Sequence, residues 1–116
     1  MAVIESVRYC SRQVVINDTS CQPAASIEAW INGLCILRGS TLEGRRMAFR
    51  QLTGQKQKIP VYVDDDTILV PLQAAGDLDC CWLNWVLQPD RIPDKTSRNI
   101  RTFLRIIHSP KPLWTS

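Results

Sequence analysis

The stretch Ser26-Ile27-Glu28-Ala29-Trp30-Ile31-Asn32-Gly33-Leu34-Cys35-Ile36-Leu37-Arg38, followed at once by Gly39-Ser40-Thr41-Leu42-Glu43-Gly44-Arg45-Arg46, decides how the rest of the chain is read. Its first half places Asn32-Gly33 between Ile27, Ala29, Ile31 on one side and Leu34, Ile36 on the other. That is the pattern of a β-hairpin with a type I′ turn, with a helix over residues 26–31 as the alternative for so short a run. After Gly39 the period changes. Ser40-Thr41-Leu42-Glu43 reads as a capping box, in which a hydroxyl caps a free amide and Glu43 reaches back. The spacing predicts a helix over 41–53 that stops at Gly54, a residue favoured just past a helix end. Leu42, Phe49 and Leu52 would face the core, with Arg46 and Arg50, four apart, on an adjoining face.

Outward from this centre, residues 12–17 read as a short strand running into the polar Asn17-Asp18-Thr19-Ser20. Pro60 opens Val61-Tyr62-Val63, and Ile68-Leu69-Val70 follows Asp64-Asp65-Asp66-Thr67, a second hairpin with an acidic tip. Residues 80–87 form a buried apolar strand containing Trp82 and Trp85, which point to opposite faces. Residues 73–79 and 88–95 read as loops. Over 97–108, Ile100, Phe103, Leu104 and Ile107 fall at i, i+3, i+4, i+7, while Arg98, Arg101 and Arg105 share another face. Pro110 and Pro112 bar continuation. The expected architecture is α+β in one domain over residues 1–116: a mainly antiparallel sheet of about five strands packed by two amphipathic helices, about 41–53 and 97–108.

A length of 116 residues and a 45% hydrophobic content suit one domain with a core. No run approaches the roughly 20 apolar residues of a membrane span, and Met1-Ala2-Val3-Ile4-Glu5 lacks the basic start of a secretory signal. The expectation is a cytoplasmic protein with no membrane partner. Cys10, Cys21, Cys35, Cys80 and Cys81 are odd in number and form no C-x-x-C pair. They read as buried apolar thiols rather than as a zinc site, and no metal or cofactor is expected.

The net charge of +3 conceals a strong segregation. Residues 38–58 hold Arg38, Arg45, Arg46, Arg50, Lys56 and Lys58 against Glu43 alone. Residues 91–111 hold Arg91, Lys95, Arg98, Arg101, Arg105 and Lys111 against Asp94 alone. Each window is +5, and the remainder, with two basic and nine acidic residues, is −7. Such segregation implies an anionic partner.

Gly39 to Arg46 has the outline of a phosphate-binding loop, G-x-x-x-x-G-K-[ST]. Arg45 replaces its lysine and Arg46 its magnesium-binding hydroxyl, which argues against nucleotide hydrolysis. Free amides at the start of the helix still suit a phosphate, the plainer reading being that the two glycines serve tight packing. Arg45 falls within the apolar stripe and needs a partner, an Asp for instance, or an interface. No nucleophile motif accompanies the single histidine, His108, and a hydrated turn accounts for Asp64-Asp65-Asp66 more simply than a cation. No enzyme is expected.

Cys35-Ile36-Leu37-Arg38-Gly39-Ser40-Thr41-Leu42-Glu43-Gly44-Arg45-Arg46, then Leu52-Thr53-Gly54, Lys58-Ile59-Pro60-Val61, Ile68-Leu69-Val70-Pro71 and Cys81-Trp82-Leu83, in this order and spacing, resemble the competence transcription factor (ComK) family. The resemblance spans residues 35–87, a little under half the chain. It matches family positions at Gly39, Ser40, Gly44, Arg45, Arg46, Lys58, Pro60, Pro71, Cys81 and Trp82, and departs at Leu42, where tyrosine is frequent. It implies a transcriptional regulator that binds A/T-rich DNA, largely through the minor groove, as dimers that pair on adjacent boxes.

Together these readings predict double-stranded DNA as the partner, with a homodimer or higher homo-oligomer. The contacts are expected from Arg46 and Arg50 first, then Arg45, Lys56 and Lys58, then Arg98, Arg101 and Arg105. The alternatives are a protein-interaction module without a nucleic-acid role, or a truncated antagonist of a competence regulator.

Overall fold

Six strands and three α-helices follow one another along residues 3–73 and 81–109, the residues that this computed structural model describes. The order is β1 (Ser6–Cys10), β2 (Gln13–Ile16), β3 (Ser20–Pro23), α1 (Ile27–Leu37), α2 (Leu42–Thr53), β4 (Val61–Asp64), β5 (Thr67–Pro71), β6 (Cys81–Asn84) and α3 (Asp94–Ile107), with a 3-10 turn at Pro89–Arg91 before α3. The strands form one antiparallel sheet in the order β3-β2-β1-β6-β5-β4. The α+β class and the antiparallel sheet are as expected, with six strands in place of about five. Cys80, most of the expected 73–79 loop, Pro110 and Pro112 lie outside the described residues. Among the described residues no helix is long and apolar enough to cross a membrane.

The hairpin expected over 26–38 is instead α1. Ser26 caps it, its Oγ accepting from the Ala29 amide at 3.0 Å. Ile27, Trp30, Ile31, Leu34 and Cys35 all pack in the core on this side, and they recur at i, i+3, i+4, i+7, i+8. That helical stripe outweighs the two-residue alternation that also runs through the segment. Asn32 and Gly33 lie within the helix, and Asn32 Oδ1 accepts from the Leu42 amide at 2.9 Å. Positive φ at two successive residues, the mark of a type I′ turn, occurs at Ser11 and Arg12 between β1 and β2. The single strand expected at 12–17 is thus the middle of a three-strand meander.

At α2 the cap is Thr41, not Ser40. Its Oγ1 accepts from the Gly44 amide at 3.0 Å, and a Cβ on Gly44 would sit 3.0 Å from that oxygen. Glu43 is therefore one position too early to close a capping box, and it points toward Arg46 instead. Gly54, at φ 79 in the left-handed region, ends the helix as predicted, its amide donating to the Arg50 carbonyl at 2.8 Å. α3 starts at Asp94, so residues 94–95 are helix rather than loop.

Each face of the sheet carries a core. Val7, Val61, Leu69 and Trp82 pack beneath α1 with Ile31 and Cys35. On the opposite face Ile68, Val70 and Leu83 meet Phe49 of α2 and Ile100 and Phe103 of α3. Leu42 joins the first core and Phe49 the second, so α2 wraps the β4 end of the sheet and brings its basic face to that rim. Trp82 and Trp85 do fall on opposite faces, Trp82 fully buried and Trp85 donating to Ser97 Oγ at 3.0 Å. The expectation of buried thiols holds for Cys35, whereas Cys10 and Cys21 are exposed and Cys81 is half-buried. Among the described residues the second core contains no residue of β1 or β3, so no helix of that core lies over Cys10 and Cys21.

Candidate nucleic-acid interface

Between the end of α2 and β4, the 54–58 loop is tied down by its own polar side chains. Gln55 Nε2 donates to the Gln57 and Lys58 carbonyls at 3.0 and 3.1 Å, and Asn99 Nδ2 of α3 donates to Gln55 Oε1 at 2.9 Å. Lys58 is held at φ 51, in the left-handed region. These bonds fix the loop's crest while Lys56, Gln57 and Lys58 stay exposed.

The loop and the adjoining face of α2 enclose an open cleft of about 400 Å³. Arg46, Arg50, Lys56 and Lys58 line it, with Glu43 as the lining's carboxylate and Ile59 and Pro71 as its apolar floor. Four of the eight arginines and lysines expected to carry function therefore converge. Arg50, Lys56 and Lys58 are exposed and, among the described residues, form no ion pair. Arg46 differs. Only 15% of its side chain is exposed, and it lies 3.5 Å from Glu28 of α1 and 4.0 Å from Glu43. It ties α1 to α2 as well as charging the cleft.

Arg45 points away, as its place in the apolar stripe required. Its guanidinium stacks over the Tyr62 ring, 5.3 Å from the centroid, and its Nε is buried without a hydrogen-bond partner. The partner is thus a ring rather than an Asp. Tyr62 in turn donates to Asp65, which also faces His108 Nε2 at 3.0 Å. Burial, with the hydrogen bond to Asp65 and its charge, pushes the Tyr62 phenol up to about 12. The Tyr62 hydrogen bond, with His108 behind it, holds the Asp65 carboxyl below its usual range. A phenol raised above its unfolded value of about 10 stabilises fully below that pH and loses the contribution as pH rises through about 12. Titrated by phenolate absorbance, the protein should show one late transition near 12, absent in Tyr62→Phe. A late transition that survives Tyr62→Phe contradicts the assignment.

Arg98, Arg101 and Arg105 are exposed on α3 but line neither this cleft nor its neighbour. Arg101 lies over Trp85, 5.8 Å from the ring centroid, and Arg105 donates to Thr102 at 3.3 Å. The α3 residues that approach the 54–58 loop are Lys95, Thr96 and Asn99, which with Gln55, Lys56 and Lys58 line a second open cleft of about 650 Å³. Lys95 belonged to a basic window, but nothing in the order of residues shows that α3 lies beside this loop.

Two of the first three amides of α2, those of Leu42 and Gly44, are already taken and are not open to a phosphate. Asn32 Oδ1 takes the Leu42 N–H, and Thr41 takes those of Gly44 and, through its carbonyl, Arg45. The acidic turn is likewise engaged. Asp64 accepts from Arg38 at 3.2 Å and from the Asp66 amide at 2.9 Å.

The family model described as ComK protein matches residues 1–97 of the 116. The chain belongs to the ComK family. No curated protein and no solved structure matches it. ComK membership supports a competence-factor-like role in transcription. In this ComK chain Gly39 and Ser40 lie in the α1–α2 junction and Gly44 in the first turn of α2, while Arg46, Lys58 and Pro71 line the first cleft.

Proposed function

We propose that this ComK-family chain is a DNA-binding regulator of transcription, acting in the cytoplasm as one binding domain without catalysis or a cofactor. Duplex DNA is held at the cleft of Arg46, Arg50, Lys56 and Lys58, and A/T-rich sequence is preferred through the minor groove. Dimers pairing on adjacent boxes, as the family resemblance implies, belong to the same proposal. The observation that carries it is the convergence of four cations from α2 and the following loop around one open cleft, with Glu43 as the one acid among the described residues that line it. Cations in such an arrangement displace the counterions condensed on a duplex, and a narrow A/T-rich minor groove concentrates negative potential that draws them in.

Fluorescence anisotropy with A/T-rich and G/C-rich duplexes of equal length, at several salt concentrations, tests this. Four phosphate contacts predict an affinity that falls with salt with a logarithmic slope of about −3 to −4. The A/T duplex should bind more tightly. Absence of binding to either duplex by folded protein overturns the proposal, and salt-dependent binding without preference overturns its groove-shape part.

For Arg98, Arg101 and Arg105, separation from both clefts favours a second role, as a docking face for an acidic protein.

A further inference from the structure

Lys56, Gln57 and Lys58 line both clefts, so the 55–58 segment is a ridge with a cationic trough on either side. Arg46 and Arg50 stand across the first trough, and Lys95 and Asn99 of α3 across the second. Among the described residues the second trough has no carboxylate in its lining, Asp94 lying outside it, and Lys95 is exposed and forms no ion pair. The Gln55 and Asn99 hydrogen bonds hold the ridge in shape before anything binds, so little ordering entropy is lost on contact.

A double helix has the complementary relief, a groove between two rows of phosphates. The minor groove, about 6 Å wide and 7.5 Å deep, accepts a single loop, whereas an α-helix needs the major groove of about 12 Å. Resting on the DNA-binding reading above, we infer that the duplex sits astride the 55–58 ridge. Arg46 and Arg50 face one phosphate backbone and Lys95, beside Asn99, faces the other. Gln57, exposed at the crest, offers amide donors to the acceptor-only edge that A·T pairs show in the minor groove. A single strand occupies one trough only, so Lys95 responds to the presence of the second strand.

The test compares Lys95→Ala with Arg50→Ala on a duplex and on a single strand of the same sequence. Lys95→Ala is expected to weaken duplex binding about tenfold and to flatten its salt slope by about one. Single-strand binding stays as it was, and Lys95→Arg restores duplex binding. If Arg50→Ala weakens the duplex complex and Lys95→Ala does not, the two-trough arrangement falls while the proposed function stands. Equal losses on duplex and single strand also overturn the arrangement. If neither substitution changes duplex binding by folded protein, the duplex does not sit at these clefts and this inference falls, whereas a folded parent protein that binds no duplex overturns the proposed function itself.

Discussion

Asn84→Ala is expected to remove about 3–5 kcal/mol of stability, enough to lower the melting temperature by roughly 12–20 °C in a domain of this size. Asn84 is fully buried, and its amide joins four segments. Oδ1 accepts from the Ile68 amide of β5 at 3.0 Å and from the Val86 amide at 3.1 Å. Nδ2 donates to the Ile4 carbonyl at 2.7 Å and to the Asp66 carbonyl, in the β4–β5 turn, at 2.9 Å. Alanine leaves two donors and two acceptors without their partner, and each buried orphan costs more than the hydrogen bond contributed net. Asn84→Asp keeps the size and both acceptor contacts but turns a carboxylate oxygen toward two carbonyls. It should therefore recover little of the loss. Urea unfolding with an unchanged denaturant slope is the measurement. A shift under 1 kcal/mol for Asn84→Ala would show that these segments hold together by other means.

Replacing Arg50 and Lys58 together by Ala should weaken duplex binding about a hundredfold at low salt and flatten the salt slope by about two. Both side chains are exposed, line the first cleft and form no ion pair among the described residues, so their loss removes charge and little packing. The left-handed backbone at Lys58 does not confuse the outcome, because lysine and alanine carry the same Cβ and bear the same strain. Arg46 makes a poorer probe than its position in the sequence promised. Its contact with Glu28 means that Arg46→Ala also unties α1 from α2, mixing a stability effect with a binding one. The double variant Arg98→Ala/Arg105→Ala, outside both clefts, serves as the control and should stay within about threefold of the parent. An intact Arg50→Ala/Lys58→Ala protein that binds as tightly as the parent would remove the cleft from consideration.

The elements legible in the sequence were those whose period and punctuation agree. α2 has Thr41 before it and Gly54 after it, and the β4–β5 hairpin has alternating apolar residues around an acidic turn. α3 has the i, i+3, i+4, i+7 series of Ile100, Phe103, Leu104 and Ile107. α1 was misread because Asn32-Gly33 is a strong turn signal, and only the packing shows that Gly33 is on the outside of a helix and Asn32 serves as a cap for the next one. β3 escaped because Ser20–Pro23 is exposed throughout, and β1 because its alternating Val7 and Tyr9 are too short a run to mark a strand on their own. For the site, charge clustering was enough to gather Arg46, Arg50, Lys56 and Lys58. It could not separate the partnered Arg46 from Arg50, which forms no ion pair among the described residues, nor prefer Lys95 over Arg98, since both distinctions depend on where α1 and α3 pack.

The two ends of the sheet have opposite fates in a crowded cell. At the β4 end, α2 crosses from one core to the other and obstructs the approach of a foreign strand. At the β3 end the backbone is accessible, but the strand is four residues long and finishes in Pro23, which has no N–H to give. A protein concentrated along a polyanion would otherwise be pressed strand against strand by its neighbours. Bound along duplex DNA as proposed, copies of this chain would meet with one sheet end covered by α2 and the other short and closed by Pro23. That arrangement disfavours strand pairing between them.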